Sequence, residues 1–286
     1  MDKYNNLIAG GWKDYELLDS GNLKKLERYG GIILIRPETQ ALWKPKRPNV
    51  WEGARAEFSF SDKKGGWTWR KDKSEEWEMG WENAHFVVRP TAFKHTGVFP
   101  EQSSNWKFIQ ESVQKLEKPQ VLNLFGYTGI ATVVAALAGA QVTHVDASKQ
   151  ANAWMQKNAE LSAVPKDSIR TILDDALKFA KREVRRQSTY QGIILDPPAF
   201  GRGAKNEVWH IEENLPELME TLTQLLSKDV GSFFLLNGYA AGFTPQSFLQ
   251  LTQDFFSDAK VEHGEMRILE TSGRQLSCGI YARFAR

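Results

Sequence analysis

Acidic and glycine residues that directly follow apolar runs are the part of this sequence best suited to chemistry. Gly126, Asp146, Asp175 and Asp196 each come within two residues of the end of such a run. The carboxyl ends of parallel strands meet at one edge of an open sheet, and ligands bind outside that edge. Three carboxylates there could bind a ribose, an adenine amino group and a reacting centre, which suits an adenosine-containing cofactor.

The segment Val121–Gly129 predicts a strand that is buried on both faces and ends in a glycine turn. A helical pattern with apolar residues from Ile130 to Leu137 follows, up to Gly139, and the next strand, Gln141–Val145, delivers Asp146 20 residues after Gly126. Strand, turn, helix and acid in this order predict the first half of a doubly wound nucleotide-binding fold, in which the glycines let backbone approach the ligand and Asp146 binds a ribose. A tight turn with a surface aspartate is the alternative.

The segment Asp196-Pro197-Pro198-Ala199-Phe200 follows the fourth predicted strand. Two prolines fix the backbone after that strand, so the Pro197 carbonyl and the Asp196 carboxylate could accept hydrogen bonds from a planar nitrogenous group. Phe200 could cover that group by stacking. A rigid loop with a helix-capping aspartate is the alternative. A nicotinamide dehydrogenase is the competing enzyme class, but the chain lacks G-x-G-x-x-G.

The remaining pattern supplies the elements that must position these residues. Helices are predicted at Asn105–Lys115, at Ser148–Leu161 with Ser148 as N-cap, from about Ile211 to Leu226 and at Ser247–Phe256. Strands are predicted at Ile169–Leu173, Tyr190–Leu195 and Ser232–Leu236, with Lys260–Leu269 and Gln275–Phe284 as a closing antiparallel pair, and Gly201–Asn206 is predicted as a loop. A further helix follows Asp175, and its cations are Lys178, Lys181, Arg182, Arg185 and Arg186. They indicate either a solvated face or a phosphate-contacting one.

Residues 1–95 are predicted to form a small β-rich domain. Its strands are Ile32–Ile35, Ala56–Phe60, Trp67–Arg70 and His85–Arg89, and Lys63–Gly66 is predicted as a hairpin turn. The tryptophans among these strands are Trp43, Trp51, Trp67, Trp69, Trp77 and Trp81. They could form the core of the sheet or a stacking platform for bases. The second interpretation draws on the neighbouring cations Lys44, Lys46, Arg47, Arg70 and Lys71.

Composition excludes several classes of protein. The chain has 286 residues, 41% of them hydrophobic and 25% charged, and a net charge of +2, so a nucleic-acid surface must be local. A single cysteine excludes an internal disulfide and suits a reducing compartment. The first residues lack a signal-peptide core, and no run reaches the roughly 18 apolar residues of a membrane span. The sequence therefore predicts a cytoplasmic protein with no membrane partner and no metal site; it does not indicate an oligomeric state.

The ordered motifs resemble those of a known enzyme family. Val121–Gly129, Asp146, Asp174-Asp175 and Asp196–Phe200 are similar to the motifs of class I S-adenosylmethionine-dependent methyltransferases. More narrowly, the segment Thr96–Gln102 with Asn123–Gly129 resembles the branch that contains bacterial large-subunit ribosomal RNA cytosine-5 methyltransferases. The similarity covers roughly residues 85–286.

The resemblance implies roles for individual residues. The implied cofactor-binding residues are Thr96, Gln102, Phe125, Gly126, Tyr127, Asp146, Ser148, Asp174, Asp175 and Asp196. Asp146 would hold the ribose hydroxyls and Asp175 the adenine amino group, while Thr96 and Gln102 would close over the methionine part. The implied catalytic residues are Asp196, Pro197 and Phe200, with Asp196 beside the sulfonium methyl and the target.

One departure from that branch concerns the target atom. Cytosine-5 methylation needs a cysteine thiolate that adds to the ring, and in such RNA enzymes the cysteine follows the fourth or fifth strand. Those places here read Asp196–Ala199 and Leu236–Tyr239, without cysteine. Cys278 lies early in the last predicted strand, where a buried, inert thiol is the expectation. Methylation of a nitrogen or oxygen is the alternative, since the enzyme then need only align a lone pair with the methyl group.

Together these patterns predict an α/β protein with two domains. Residues 1–95 form the small β-rich domain, a candidate for RNA or substrate binding, and residues 96–286 form a doubly wound, Rossmann-like, seven-stranded methyltransferase domain. The predicted activity is methyl transfer from S-adenosylmethionine to RNA, with ribosomal RNA as the leading substrate. A small-molecule or protein methyltransferase and a non-catalytic RNA-binding protein on the same fold are the alternatives.

Overall fold

The computed structural model describes residues 4–61, 64–203, 207–239 and 242–286. The chain divides into two compact units. The large unit comprises Met1–Leu7, Asn105–Glu265 and Gly279–Arg286, and the small unit comprises Ile8–Ser104 and Met266–Cys278. The predicted boundary at residue 95 therefore differs from the division by contacts, which also assigns Met266–Cys278 to the small unit.

The elements before residue 103 are strands and short turns. The strands are β1 (Leu7–Ile8), β2 (Tyr15–Gly21), β3 (Lys24–Tyr29), β4 (Ile32–Pro37), β5 (Ala56–Ser61), β6 (Lys64–Trp69), β7 (Trp77–Trp81) and β8 (Ala84–Val88). Two 3-10 helices lie at Pro48–Gly53 and Pro100–Gln102.

Helices and strands alternate after residue 103. The helices are α1 (Ser103–Gln114), α2 (Ile130–Leu137), α3 (Lys149–Leu161), α4 (Ala176–Arg185), α5 (Ile211–Thr223) and α6 (Pro245–Phe255). The strands are β9 (Gln120–Leu124), β10 (Gln141–Asp146), β11 (Ile169–Leu173), β12 (Gly192–Leu195), β13 (Phe200–Arg202), β14 (Val208–His210), β15 (Phe233–Gly238), β16 (Glu262–Leu269) and β17 (Gln275–Ala285).

The main sheet has the strand order β1-β16-β17-β15-β12-β9-β10-β11. Strands β15, β12, β9, β10 and β11 run parallel, and β17 is antiparallel to β15. This arrangement confirms the doubly wound, Rossmann-like α/β prediction; the two-residue β1 joins the seven expected strands. The chain leaves β9 toward β10 and β11 but returns to β12 on the other side, so the switch point between β9 and β12 is where a ligand is expected.

The central strands form because their residues are apolar on both faces. All four residues of β12 and all six of β15 are buried, as are Val121, Leu122 and Leu124 of β9. Helices from both faces cover these strands, so the burial stabilises a parallel sheet. Ser148 caps α3 by accepting a 3.2 Å hydrogen bond from the Ala151 N–H, which confirms the predicted N-cap.

The small unit contains a five-stranded sheet in the order β2-β3-β4-β5-β6 and the separate hairpin β7-β8. Trp81 is buried, and the other five tryptophans of the predicted set are half-buried. Four indole N–H groups donate to oxygens of the same unit: Trp43 to Ser20 O, Trp51 to Asp19 Oδ2, Trp67 to Thr91 O and Trp81 to Gly10 O. These bonds favour the core interpretation of the tryptophans over the stacking platform.

The hairpin turn predicted at Lys63–Gly66 is misplaced. Lys64, Gly65 and Gly66 belong to β6 and pair with β5, while residues 62–63 lie outside the described ranges. Gly65 is required by packing, since a Cβ there would lie 2.2 Å from Phe58 Cζ. The predicted loop Gly201–Asn206 is also partly wrong, because β13 and β14 pair as an antiparallel ribbon; residues 204–206 lie outside the described ranges. Within those ranges no helix is long and apolar enough to cross a bilayer.

Candidate active site

The turn after β9 has an unusual backbone. Phe125 and Tyr127 have φ values of 57° and 50°, on either side of Gly126, and Gly129 has a φ of 75°. Non-glycine residues in this region are strained by roughly 1–3 kcal/mol each, and such strain concentrates at functional sites. The turn is held by the Gly126 N–H, which donates to Val145 O at 3.1 Å, and by the Gly129 N–H, which donates to Gly126 O at 2.9 Å.

A buried histidine lies under this turn. A Cβ on Gly126 would lie 2.3 Å from His144 Cε1 and 2.4 Å from its Nδ1. The Nδ1 atom is 2.8 Å from Thr132 Oγ1, which also accepts a 2.8 Å hydrogen bond from Asn123 Nδ2. Burial lowers the pKa of His144 to about 4, so the ring is neutral near pH 7. The interpretation of Gly126 from sequence is thus incomplete, because a side chain there is excluded by the protein itself.

Asp146 joins the turn to the start of α3. Its Oδ2 accepts a 2.8 Å hydrogen bond from the Tyr127 N–H, and its Oδ1 accepts one of 2.8 Å from the Ser148 N–H. Burial raises the pKa of Asp146, while these two bonds act in the opposite direction. A carboxylate has about four acceptor positions, so both oxygens can still accept from a ligand.

Asp174 and Asp175 follow β11 and both support α4. Asp175 caps that helix by accepting a 2.9 Å hydrogen bond from the Lys178 N–H. Asp174 accepts from the Asp175 N–H at 2.9 Å and pairs with Arg182 Nη1 at 2.5 Å. Both aspartates are half-buried. The local geometry therefore explains these residues as helix supports, and their contact with adenine stays a prediction.

The segment after β12 is fixed by a tryptophan that sequence reasoning missed. Trp209 Nε1 donates a 2.7 Å hydrogen bond to Pro198 O, and the indole packs on the Phe125 ring at 4.8 Å between centroids. Phe200 remains 54% exposed, and its ring lies 5.1 Å from that of His210 across the β13-β14 ribbon. The role of Trp209 could not be predicted from the sequence, because a three-residue strand is too short to show the alternation of apolar and polar residues.

These contacts connect the predicted strand ends. Phe125, Trp209 and Pro198 link the end of β9 to the segment after β12, and the Tyr127–Asp146 bond links β9 to β10. Asp146 is in register with Leu173, the last residue of β11. The residues Gly126, Asp146, Asp175 and Asp196 therefore lie along the carboxyl edge of four adjacent strands, as the sequence predicts.

Comparison with known proteins decides the class of enzyme. The family model described as S-adenosylmethionine-dependent methyltransferase matches residues 61–251. The chain belongs to this methyltransferase family. A solved S-adenosylmethionine-dependent methyltransferase from Agrobacterium tumefaciens is 40% identical to it with a TM-score of 0.93, over 98% of this chain and 93% of that one.

Curated relatives of this methyltransferase match over shorter stretches. A putative ribosomal RNA large subunit methyltransferase of Methanocaldococcus jannaschii is 36% identical over 118 residues, which are 41% of this chain and 30% of the relative. Ribosomal RNA large subunit methyltransferase K/L of Shewanella frigidimarina is 32% identical over 146 residues, 50% of this chain and 20% of the relative. This methyltransferase thus spans less than a third of the length of either relative.

The cofactor of this methyltransferase is S-adenosylmethionine, and the large unit fits it. Asp146 offers acceptor positions beside the glycine turn, as a ribose diol requires, and Phe125 and Tyr127 are half-buried on the same turn. Thr96 and Gln102 lie in the small unit, where both are buried. Gln102 belongs to the 3-10 helix after Phe99, and its N–H donates to Phe99 O at 3.0 Å. Their contact with the methionine part of the cofactor stays a prediction.

Cys278 of this methyltransferase lies in the small unit and is a poor nucleophile. Burial, with the charge of Glu101 next, raises its pKa well above the ordinary value, so the thiol stays protonated, and its Sγ donates a weak 3.6 Å hydrogen bond to Leu276 O. We expect Cys278→Ser to leave kcat/KM within about twofold, because the sequence prediction assigns no covalent role to this thiol. Steady-state methyl transfer measures this, with Asp196→Ala, a variant of the predicted catalytic aspartate, as the comparison. Lost turnover in a normally folded Cys278→Ser protein would revive the covalent mechanism.

Four of the five cations on and just after α4 pair with acids. The pairs are Lys178 with Glu207 at 2.6 Å, Lys181 with Glu217 at 2.5 Å, Arg182 with Asp174 at 2.5 Å and Arg186 with Glu183 at 2.8 Å. An RNA backbone would have to displace these carboxylates. The structure therefore favours the solvated-face interpretation of this helix in the methyltransferase.

Proposed function

We propose that this methyltransferase transfers a methyl group to a base in RNA, with ribosomal RNA as the leading substrate. The observation that carries the proposal is Phe200, an exposed aromatic ring four residues after Asp196 and packed on His210. An exposed ring four residues from a carboxylate at the end of a strand suits an unstacked nucleobase, which proteins bind by stacking and by its polar edge. The names of the M. jannaschii and S. frigidimarina relatives support ribosomal RNA.

In this proposal some residues of the site bind the methyl donor and others bind the base that accepts the methyl group. S-adenosylmethionine supplies an electrophilic methyl group on a positively charged sulfur. Asp146 would hold the ribose and Asp175 the adenine amino group. Asp196 and the Pro197 carbonyl would accept hydrogen bonds from the exocyclic nitrogen of the target base, while Phe200 covers its face. Positioning one lone pair in line with the methyl group supplies much of the rate.

The target atom in this proposal is a nitrogen or an oxygen. The segments after the fourth and fifth parallel strands contain no cysteine, and Cys278 is held as a neutral thiol. Carbon-5 of a pyrimidine becomes nucleophilic only after a thiolate adds to the ring. A heteroatom already carries the lone pair that attacks, so the chain needs no covalent intermediate. A cytoplasmic location follows from such a substrate and stays a prediction.

Mass spectrometry of ribosomal RNA nucleosides tests this function. Cells that lack the protein should lose one methylated nucleoside, and the purified protein should restore it on RNA from those cells with labelled donor. Restoration on ribosomal RNA and not on transfer RNA would support the named substrate. Methylation of protein or small molecules, with every RNA fraction unlabelled, would overturn the proposal and favour the other methyltransferase alternatives.

Replacing Phe200 by alanine tests the stacking role. We expect Phe200→Ala to lower kcat/KM for RNA by about 5–150-fold, because stacking of a base on an aromatic ring is worth about 1–3 kcal/mol. The dissociation constant of the cofactor should stay the same within about twofold. Phe93→Ala is the matched control, since Phe93 is 72% exposed in the small unit. Equal activity of the two variants would remove Phe200 from the substrate site.

A further inference from the structure

The segment between β4 and β5 contains three cations close together, in a stretch flanked by Glu38 and Glu52. Residues 39–51, here called the basic loop, contain Lys44, Lys46 and Arg47 and no carboxylate. All three cations are exposed, and Leu42 beside them is 80% exposed. Among the residues that the structure describes, none of the three cations is in a salt bridge; Arg47 Nη1 donates only to the hydroxyl of Thr271, at 2.7 Å. The net charge of the chain is only +2, so this loop is a local concentration of positive charge.

A buried carboxylate holds the backbone of the basic loop. Asp19 is fully buried, and its oxygens accept hydrogen bonds from the Lys46 N–H at 3.1 Å, the Arg47 N–H at 2.9 Å and Trp51 Nε1 at 2.8 Å. The Ser20 N–H donates to the same carboxylate at 3.0 Å. Four neutral donors, together with the guanidinium of Arg274, satisfy this buried charge, and three of them fix the backbone between Lys46 and Trp51.

Arg274, from the turn between β16 and β17, supports the same loop. Its Nη2 donates to Asp19 Oδ1 at 2.8 Å and its Nη1 donates to Lys44 O at 3.0 Å. The guanidinium also lies over the Trp43 ring at 5.6 Å and pairs with the buried Glu270 at 2.9 Å. The positive charge of Arg274 is thus paired with Asp19 and Glu270 inside the small unit. The positive charge of the basic loop that faces solvent is carried by Lys44, Lys46 and Arg47.

The turn between β2 and β3 holds the other side of the loop. The Asn22 N–H donates to Trp43 O at 2.7 Å, and the Leu23 N–H donates to Ala41 O at 2.9 Å. The loop approaches so closely that a Cβ on Gly21, which has a φ of +153°, would lie 2.4 Å from Pro45 N. Backbone atoms are therefore held at nearly every residue from 41 to 47, and Pro45 removes further freedom.

From this geometry we propose that the basic loop is the surface by which the small unit binds the phosphates of the RNA substrate. The inference rests on the proposed RNA methylation and adds the place of contact. Cations on a fixed backbone lose less entropy on binding than cations on a mobile tail. Arginine and lysine are the side chains that bind phosphate oxygens. Phosphate contact through α4 is less favourable, because four of its five cations already pair with acids.

Charge removal on the loop gives the test. The variant K44Q/K46Q/R47Q is compared with K115Q/K118Q/K166Q, which removes three exposed lysines from the large unit. Binding to ribosomal RNA fragments is measured by filter binding across a range of KCl concentrations. We expect the loop variant to bind RNA about 10–100-fold more weakly. The slope of log affinity against log salt concentration should become shallower by about 2, since each lost phosphate contact lowers that slope by about 0.7–0.9.

Three further measurements separate phosphate contact from other effects. The loop variant should raise KM for RNA with kcat unchanged, keep the affinity for S-adenosylmethionine and keep the thermal midpoint, because the changed side chains are exposed. The variant K44R/K46R/R47K should behave like the unmodified chain, because it keeps the charge. The control triple variant should lose little affinity.

The outcomes distinguish this inference from the proposed function. If RNA is methylated but the loop and control variants bind it equally, the loop proposal is wrong and RNA methylation stands. If RNA binds through the loop but is not methylated, the loop proposal stands and the substrate assignment is wrong. If the unmodified protein neither binds nor methylates any RNA fraction, both are wrong.

Discussion

Gly126→Ala is expected to abolish detectable binding of S-adenosylmethionine and to destabilise the large unit. The added Cβ would overlap His144, at 2.3 Å from Cε1 and 2.4 Å from Nδ1. The ring cannot move away easily, since it is completely buried and its Nδ1 lies 2.8 Å from Thr132 Oγ1. Inserting a methyl group into such a packed position costs about 1–3 kcal/mol, and relief would require the strained turn to shift.

Two measurements check this expectation. Urea denaturation should show a free energy of unfolding lower by about 2 kcal/mol. Calorimetry with S-adenosylhomocysteine, the demethylated product, should show weaker binding. The loss of affinity should be larger than the fraction of protein unfolded by the substitution can explain. Gly66→Ala is the control, because Gly66 lies in β6 without a positive φ, and a Cβ added there would have no neighbouring atom within 4 Å. Its stability should change by less than about 1 kcal/mol.

Removing the histidine ring tests the cause. In Gly126→Ala/His144→Ala the overlap is absent, so the double variant should be more stable than the sum of the two single changes predicts. A coupling free energy of about 1 kcal/mol or more is expected for residues in direct contact. Strict additivity would show that His144 is not why glycine is needed at position 126.

Buried parallel strands were the easiest part of this fold to predict. The buried strands β12 (Gly192–Leu195) and β15 (Phe233–Gly238) begin within two residues of the predicted Tyr190–Leu195 and Ser232–Leu236. A strand covered on both faces must be apolar along its whole length, so its limits are visible in the sequence. The residues at the carboxyl edge of the sheet were then predictable as well, since each of them follows directly after a recognisable strand.

The first strands of the small unit were missed because their inward positions are charged. Glu27 and Arg36 are buried, with Arg36 Nε 2.7 Å from Glu27 Oε2, and Lys25 is buried 3.6 Å from the same carboxyl group. Burial raises the pKa of Glu27, but the charges of Arg36 and Lys25 outweigh it and lower the pKa to about 2. Charged residues in a core hide the alternation on which strand prediction depends.

The supports of the candidate site were unpredictable for a related reason. Asn123, Thr132 and His144 form a hydrogen-bonded series under the glycine turn, yet they come from β9, α2 and β10. Each stands alone as a polar residue in an apolar run. Their association depends on which strands are neighbours, and short motifs do not contain that information. Asp146 belongs to the same layer, but its position after a strand made it visible.

Asp146→Ala is expected to weaken the binding of S-adenosylmethionine by about 1–3 kcal/mol, or about 5–150-fold in the dissociation constant. Two acceptor functions are lost together. The ribose hydroxyls of the cofactor would lose their partner, and the Tyr127 N–H would lose the 2.8 Å bond that holds a residue with positive φ. Asp146→Asn keeps one carbonyl oxygen as an acceptor, so its affinity should fall between those of the alanine variant and the unmodified chain.

Calorimetry with S-adenosylhomocysteine measures the affinity for the cofactor product, including the ribose contact, without methyl transfer. Hydrogen exchange at the Tyr127 amide measures how firmly the turn after β9 is held. Asp146→Ala should speed exchange at that amide in the absence of ligand, which separates a loosened turn from a lost ribose contact. Asp254→Ala is the control, because Asp254 is an exposed carboxylate on α6. If the affinity of Asp146→Ala equals that of the control while the protein stays folded, Asp146 does not bind the cofactor and the ribose must be held elsewhere along this edge.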